Sequence, residues 1–240
     1  MFDILYQNCD FLVINKHPNV SVHKDDGETS LLLEIAKSSE VELSEGNQLY
    51  LVHRLDKMTS GILLLAKHQQ AASELSQQFA QRLVSKFYLA IGVKKPKKKQ
   101  GLISGDMERS RRSAWKLMKT QNNPAKTQFF SLAGEAGQRL FLCKPHTGKT
   151  HQIRVALNSI GSSILGDDIY TPSSCVGEQA ADRGYLHAYA LSFEHAGQAY
   201  DFVCDPSDYV TLGQAWQTPA VLQALQQWQH PAQLTWPTIK

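Results

Sequence analysis

Short apolar runs, each cut off by a polar block, restrict this chain more than any other feature. Phe11-Leu12-Val13-Ile14, Leu49-Tyr50-Leu51-Val52, Ile62-Leu63-Leu64-Leu65-Ala66 and Phe87-Tyr88-Leu89-Ala90-Ile91 are four or five residues long. Runs of that length bounded by polar punctuation read as buried strands, because a helix needs about 10 residues or more. None approaches the roughly 20 apolar residues of a membrane-spanning helix. The opening Met1-Phe2-Asp3-Ile4 carries an acid where a secretory signal would carry bases. With 42% apolar residues among 240, the chain can bury a substantial core. A cytoplasmic enzyme or binding protein is what remains.

The rest of the chain mixes helices and strands. Ser30 is placed to cap a helix through Leu31, Leu32, Ile35 and Ala36. Ala72, Leu75, Phe79 and Leu83 give residues 71–82 a helical face, and Ile153, Leu157 and Ile160 do the same for 150–158, with Gly161 as a stop. Residues 127–130 and 139–142 form a strand pair across Gly134-Glu135-Ala136-Gly137. Residues 185–193 and 199–204 form another, and 219–229 a closing helix. Residues 101–123 read as irregular. No βαβ rhythm and no internal repeat is present, so the class is α+β, in a single catalytic domain spanning 1–240.

The net charge of +3 conceals a local excess. Between Gly92 and Lys119 stand ten basic residues, among them Lys97, Lys98, Arg109, Arg111 and Arg112, against only Asp106 and Glu108. The Lys94–Lys99 tract by itself suits a solvated loop equally well. Arg109, Arg111 and Arg112 followed by Trp115 interleave bases with an aromatic, which suits a phosphate backbone and a stacked base. Nucleic acid becomes the candidate partner, gripped by a basic region at about 92–123.

Several chemistries drop out. Cys9, Cys143, Cys175 and Cys204 show no Cys-x-x-Cys spacing and read as reduced, mostly buried residues. Gly148-Lys149-Thr150 imitates the end of a P-loop, but Cys143 stands where its first glycine belongs. No dinucleotide or zinc-hydrolase motif occurs, and no cofactor or metal is expected. Asp167-Asp168 beside His151 reads as one turn-capping and one solvated carboxylate rather than a metal site.

Two polar blocks carry the functional argument. His53-Arg54-Leu55-Asp56-Lys57-Met58-Thr59-Ser60-Gly61 lies between two runs that look like interior strands. Thr147-Gly148-Lys149-Thr150-His151-Gln152-Ile153-Arg154 leads into a helix. Taken singly, Asp56 is more often a turn former, Arg154 a solvated helix residue and Tyr88 a core tyrosine. Together, one block offers a carboxylate near the protein body and the other a guanidinium that can hold it ionised.

These blocks resemble signature segments of the RluA-type family of RNA pseudouridine synthases. The likeness extends in order through Ile14-Asn15-Lys16 with Val22-His23, Lys86-Phe87-Tyr88-Leu89-Ala90, Ala125-Lys126-Thr127, Gly166-Asp167 with Tyr170, and Leu186-His187-Ala188. It implies a mixed, mainly antiparallel central sheet flanked by helices and loops, and an isomerase that converts uridine in ribosomal or transfer RNA to pseudouridine. It implies that Asp56 is the essential carboxylate, that Arg154 pairs with it, and that Tyr88 stacks on the base and handles the C5 proton. Leu186 would pack against the flipped base, Arg54 would fill the gap left in the RNA, and His53 would hold the displaced strand. Lys86 and Lys149 join the RNA-binding set with the basic region. The chain departs from the family at Lys149, where Arg is usual, at Ala156, and at Ser162-Ser163. Its opening at the first catalytic strand leads us to expect no additional N-terminal RNA-binding domain and a monomer without membrane contact. The competing reading is a catalytically silent RNA-binding or assembly factor on the same scaffold.

Overall fold

A computed structural model describes residues 1–22, 31–111, 113–171 and 181–238. The proposed Ser30 cap, His23, Arg112 and Cys175 lie outside the described residues. In chain order the elements are β1 (Phe2–Gln7), β2 (Phe11–Lys16), α1 (Leu31–Lys37), β3 (Tyr50–Leu51), β4 (Ser60–Ala66), α2 (Gln69–Gln81), β5 (Ser85–Gly92) and β6 (Gln100–Gly105). They continue with β7 (Met107–Arg109), β8 (Trp115–Leu117), β9 (Ala125–Ala133), β10 (Arg139–Pro145), α3 (Gln152–Ser159), β11 (Leu186–His195), β12 (Gln198–Val203) and α4 (Pro219–Gln227). Ten strands form one sheet along the path β1-β2-β4-β11-β5-β10-β9-β6, with β3 added to β4 and β12 to β11. β7 and β8 form a separate two-stranded hairpin. The architecture is the α+β class read from the sequence.

Burial on both faces explains the unbroken apolar runs. Phe11, Val13, Ile62 and Leu64 pack with Ala71 and Leu75 of α2. Their neighbours Leu12, Ile14, Leu63 and Leu65 pack with Leu31 and Ile35 of α1. Alternate side chains of a strand face opposite ways, so a strand sandwiched by helices must be apolar throughout. On the other half of the sheet, β5, β10 and β11 share a core with α3, α4, Trp216 and Trp228.

The two halves meet at a short parallel step. His187 and Ala188 of β11 pair in parallel with Ser60 and Gly61 of β4, whereas among the described residues every other pairing in the sheet is antiparallel. Gly61 has φ +103°, and a Cβ there would run into the Ala188 carbonyl. The glycine of the first polar block is therefore required by the seam.

Three readings of the sequence need correction. Residues 49–52 are not an interior strand: only Tyr50–Leu51 pair, and both are half-buried. Residues 101–123 are not irregular, since β6 adds to the edge of β9 and β7–β8 form a hairpin. β6 carries one adjacent apolar pair, Leu102-Ile103, and the hairpin is half-buried to exposed, so neither leaves an apolar pattern. β1, an edge strand with only half-buried or exposed residues, also lay outside the sequence reading. Cys143 and Cys204 are buried as expected, but Cys9 is exposed.

Candidate active site

The Asp56 loop sits at the seam and is held by two buried basic side chains, Lys16 and Arg183. A backbone hydrogen bond from Thr59 to the Asp56 carbonyl, 3.0 Å, closes the turn. Lys16 Nζ, at the end of β2, donates to the carbonyls of His17 (2.9 Å), Val20 (2.8 Å) and Lys57 (3.3 Å). Burial and the Arg183 charge lower its pKa to about 7, against the pull of Asp56. Arg183 donates to the carbonyls of Met58 (3.1 Å), Leu186 (3.1 Å) and Leu212 (2.9 Å), and to Ser60 Oγ (2.9 Å). Burial lowers the Arg183 pKa to about 10, so it stays charged. Ser60 accepts from Arg183 and donates its own proton to His187 Nδ1 (2.8 Å), while His187 Nε2 donates to the Cys204 carbonyl (2.9 Å). One network thus fixes the loop after Asp56 and the strand bearing Leu186.

α3 supplies the guanidinium. Arg154 Nη1 lies 3.2 Å from Asp56 Oδ2, and its Nε and Nη2 reach Asp167 Oδ2 and Oδ1 at 2.7 and 2.8 Å. The Asp56 side chain is 18% exposed, that of Asp167 not at all. Burial works against the Arg154 charge, and the Asp167 and then the Asp56 carboxylates more than offset it, so its pKa is raised. Asp167 therefore aims Arg154, and Arg154 presents Asp56 to the cleft with one oxygen engaged. Asp167 also accepts from the backbone of Ile169 and Tyr170, so it caps the expected turn, and Asp168 is exposed. The sequence reading missed Asp167 as the holder of Arg154. Its place in the Gly166-Asp167 segment was the available signal.

An open cleft of about 520 Å³ runs across these groups, in the size range of small-molecule sites. Asp56, Tyr88, Arg154, Leu186, His53, Arg54, Lys86 and Lys149 all line it. Tyr88 lies on β5 directly opposite Ala188 of β11. Burial first, then the Asp56 charge, raise its pKa, so it is a neutral phenol. Leu186 is 4% exposed. The His53 ring stacks on Phe79 at 4.5 Å, and its Nε2 accepts from the Leu64 backbone at 2.9 Å. Burial and the nearby Lys86 lower its pKa to about 3, so His53 is neutral. Lys86 Nζ lies over the Phe79 ring, 5.6 Å from its centroid. Arg54 is exposed at the cleft mouth. Arg82, in a left-handed conformation at the end of α2, also reaches the cleft and went unnoticed in the sequence. Lys97, Lys98, Arg109 and Arg111 are exposed and lie outside the cleft lining. Among the described residues no group of three or more metal-ligating side chains could hold a metal ion, and no helix is long and apolar enough to cross a membrane.

Residues 10–159 match the family described as RNA pseudouridylate synthase. The chain belongs to this family. An uncharacterized RNA pseudouridine synthase of Haemophilus influenzae is 46% identical over 224 residues, covering 93% of this chain and 94% of that protein. Ribosomal large subunit pseudouridine synthase D of Nitrosomonas europaea is 32% identical over 222 residues, covering 88% of this chain. The chain spans 64% of that relative's length. Among solved structures, human RNA pseudouridylate synthase domain containing 1 has a TM-score of 0.78 and 26% identity, with 100% of this chain and 97% of that chain covered. As a pseudouridine synthase family member, the chain is an isomerase acting on RNA, which agrees with the RluA-type resemblance of its motifs.

Proposed function

We propose that this pseudouridine synthase family member takes a uridine of structured ribosomal or transfer RNA into the cleft and returns it as pseudouridine. The observation that carries the reading is the Asp56–Arg154 pair on the cleft wall, with Tyr88 and Leu186 beside it. In the reaction the N1–C1′ bond breaks, the uracil turns, and C5 joins C1′. N1 gains a proton and C5 loses one to solvent, so no electron or external group is exchanged. The Asp56 carboxylate, aimed by its contact with Arg154, acts on the nucleoside as nucleophile or base. Extruding the base costs a few kcal/mol. Stacking on Tyr88 returns about 1–3 kcal/mol of that. Tyr88 enters as a neutral phenol, so it relays the C5 proton to solvent only by giving up its own hydroxyl proton as it takes the other. Arg54, Lys86 and Lys149 at the cleft, with Lys97, Lys98, Arg109 and Arg111 beyond it, supply the phosphate contacts.

Large-subunit ribosomal RNA is the first substrate to test, since several relatives are named ribosomal large subunit pseudouridine synthases. Fragments of that RNA and transfer RNAs, each carrying tritium at uracil C5, are incubated with the protein. Release of tritium to water from one of the two classes supports the reading. Tight binding to both without release from either would leave a silent RNA-binding factor instead.

A further inference from the structure

Tyr170 touches the Arg154 assembly in three ways. Its ring lies 5.2 Å from the Arg154 guanidinium carbon. Its backbone N–H donates to Asp167 Oδ1 at 3.2 Å, the oxygen that Arg154 Nη2 also reaches. Its hydroxyl lies 3.0 Å from Nδ1 of His151, the left-handed residue (φ 56°) that immediately precedes α3. A fourth contact leads elsewhere: the Trp115 backbone N–H of β8 donates to the same hydroxyl at 2.8 Å. A backbone N–H can only donate, so the phenol proton is free for His151 Nδ1.

β7 and β8 are not hydrogen-bonded into the main sheet, and β8 packs on α3. Trp115 pairs with Arg109 across the hairpin, and Arg109 and Arg111 are exposed. The hydroxyl of Tyr170 is therefore a single point where the basic hairpin and the first turn of the arginine-bearing helix are tied. At 8% exposure, Tyr170 has little slack to absorb a shift at either end.

From this juxtaposition we propose that Tyr170 is a positioning residue that transmits engagement of the basic hairpin by RNA to Arg154, and so to Asp56. The proposal rests on the RNA-isomerase reading above. Phosphates drawn to Arg109 and Arg111 settle the hairpin against α3, and the Trp115–Tyr170–His151 bonds then fix the helix start and the guanidinium. Coupling of this kind links binding at one place to rate at another through a shared element.

The test compares wild type, Tyr170→Phe, the double variant Arg109→Ala/Arg111→Ala, and the triple combination. RNA affinity and the single-turnover rate of tritium release at saturating RNA are measured for each. Tyr170→Phe keeps the ring under Arg154 and removes only the tie. It should slow the saturating rate about tenfold. The arginine double variant should weaken binding and slow the saturating rate, whereas the triple variant should be no slower at saturation than Tyr170→Phe alone. A wild-type saturating rate in Tyr170→Phe, or a triple-variant rate equal to the product of the separate losses, overturns the proposal. Trp115→Pro removes the same bond from the hairpin side, and an unchanged saturating rate there overturns it as well. Wild-type protein that releases no tritium from any RNA overturns the functional reading and this coupling together. Additive losses in an active enzyme overturn only the coupling.

Discussion

Asp167 carries two duties on one carboxylate: it caps the turn to Tyr170 and grips Arg154 with both oxygens. Removing it leaves a buried guanidinium with a single partner, and breaking such a pair costs about 3–5 kcal/mol. Asp167→Ala should lower the unfolding free energy by about that amount in urea titration. A loss below about 1 kcal/mol would mean that Arg154 is steadied by something else. His187 offers a test through pH. Its pKa is about 3 in the folded chain, burial being the main cause, against 6.5 when free. Between those values the unfolded state binds a proton that the folded state does not. Its contribution is therefore lost as pH falls below 6.5, at about 1.4 kcal/mol per pH unit. Urea titrations from about pH 6 to pH 4 should show a shallower acid loss in His187→Asn by that slope. Parallel slopes would show that His187 is protonated in the fold. The Asp56–Arg154 pairing was legible because each residue stood in a polar block flanked by apolar runs. Asp167 was signalled only by its place in the Gly166-Asp167 segment, and Arg183 stood in no segment that the sequence singled out, its partner Ser60 lying 123 positions away.

At the scale of elements, the seam between β4 and β11 decides where the site stands. Gly61→Ala places a side chain at φ +103° against the Ala188 carbonyl. It should destabilise the protein by at least about 1–3 kcal/mol in denaturant unfolding, with loss of turnover beside it. A neutral result would show that the seam has room to give. Strands β2 and β4 were plain in the sequence because burial on both faces keeps their central residues apolar, and β5 because Phe87–Ile91 is an unbroken apolar run. β1, β6 and the β7–β8 hairpin were not, since pairing at an edge requires backbone hydrogen bonds and little apolar pattern. α3 begins at Gln152, within two residues of its expected start, because His151 adopts a left-handed conformation that a periodicity argument does not register. The two helices around β2 and β4 were foreseen, and their opposite faces explain why those strands read as unbroken apolar runs.

For the whole molecule, the proposed function divides the work: basic residues both at and beyond the cleft hold RNA, and the cleft carries the chemistry. On that reading the basic residues outside the cleft act through phosphates, and binding should then depend on salt through them. Neutralising Lys97, Lys98 and Lys99 together should weaken RNA binding and flatten the plot of log affinity against log salt by about 0.7–0.9 for each phosphate no longer neutralised. An unchanged slope would make the tract a solvated loop. In the proposed mechanism the chemistry belongs to the cleft and centres on Asp56. The most direct measurement is therefore tritium release from uracil C5-labelled substrate RNA by Asp56→Asn beside wild type, with RNA affinity determined for both. Wild type is predicted to release tritium and the variant none, at comparable affinities. Release by Asp56→Asn at the wild-type rate would contradict a catalytic role for this carboxylate.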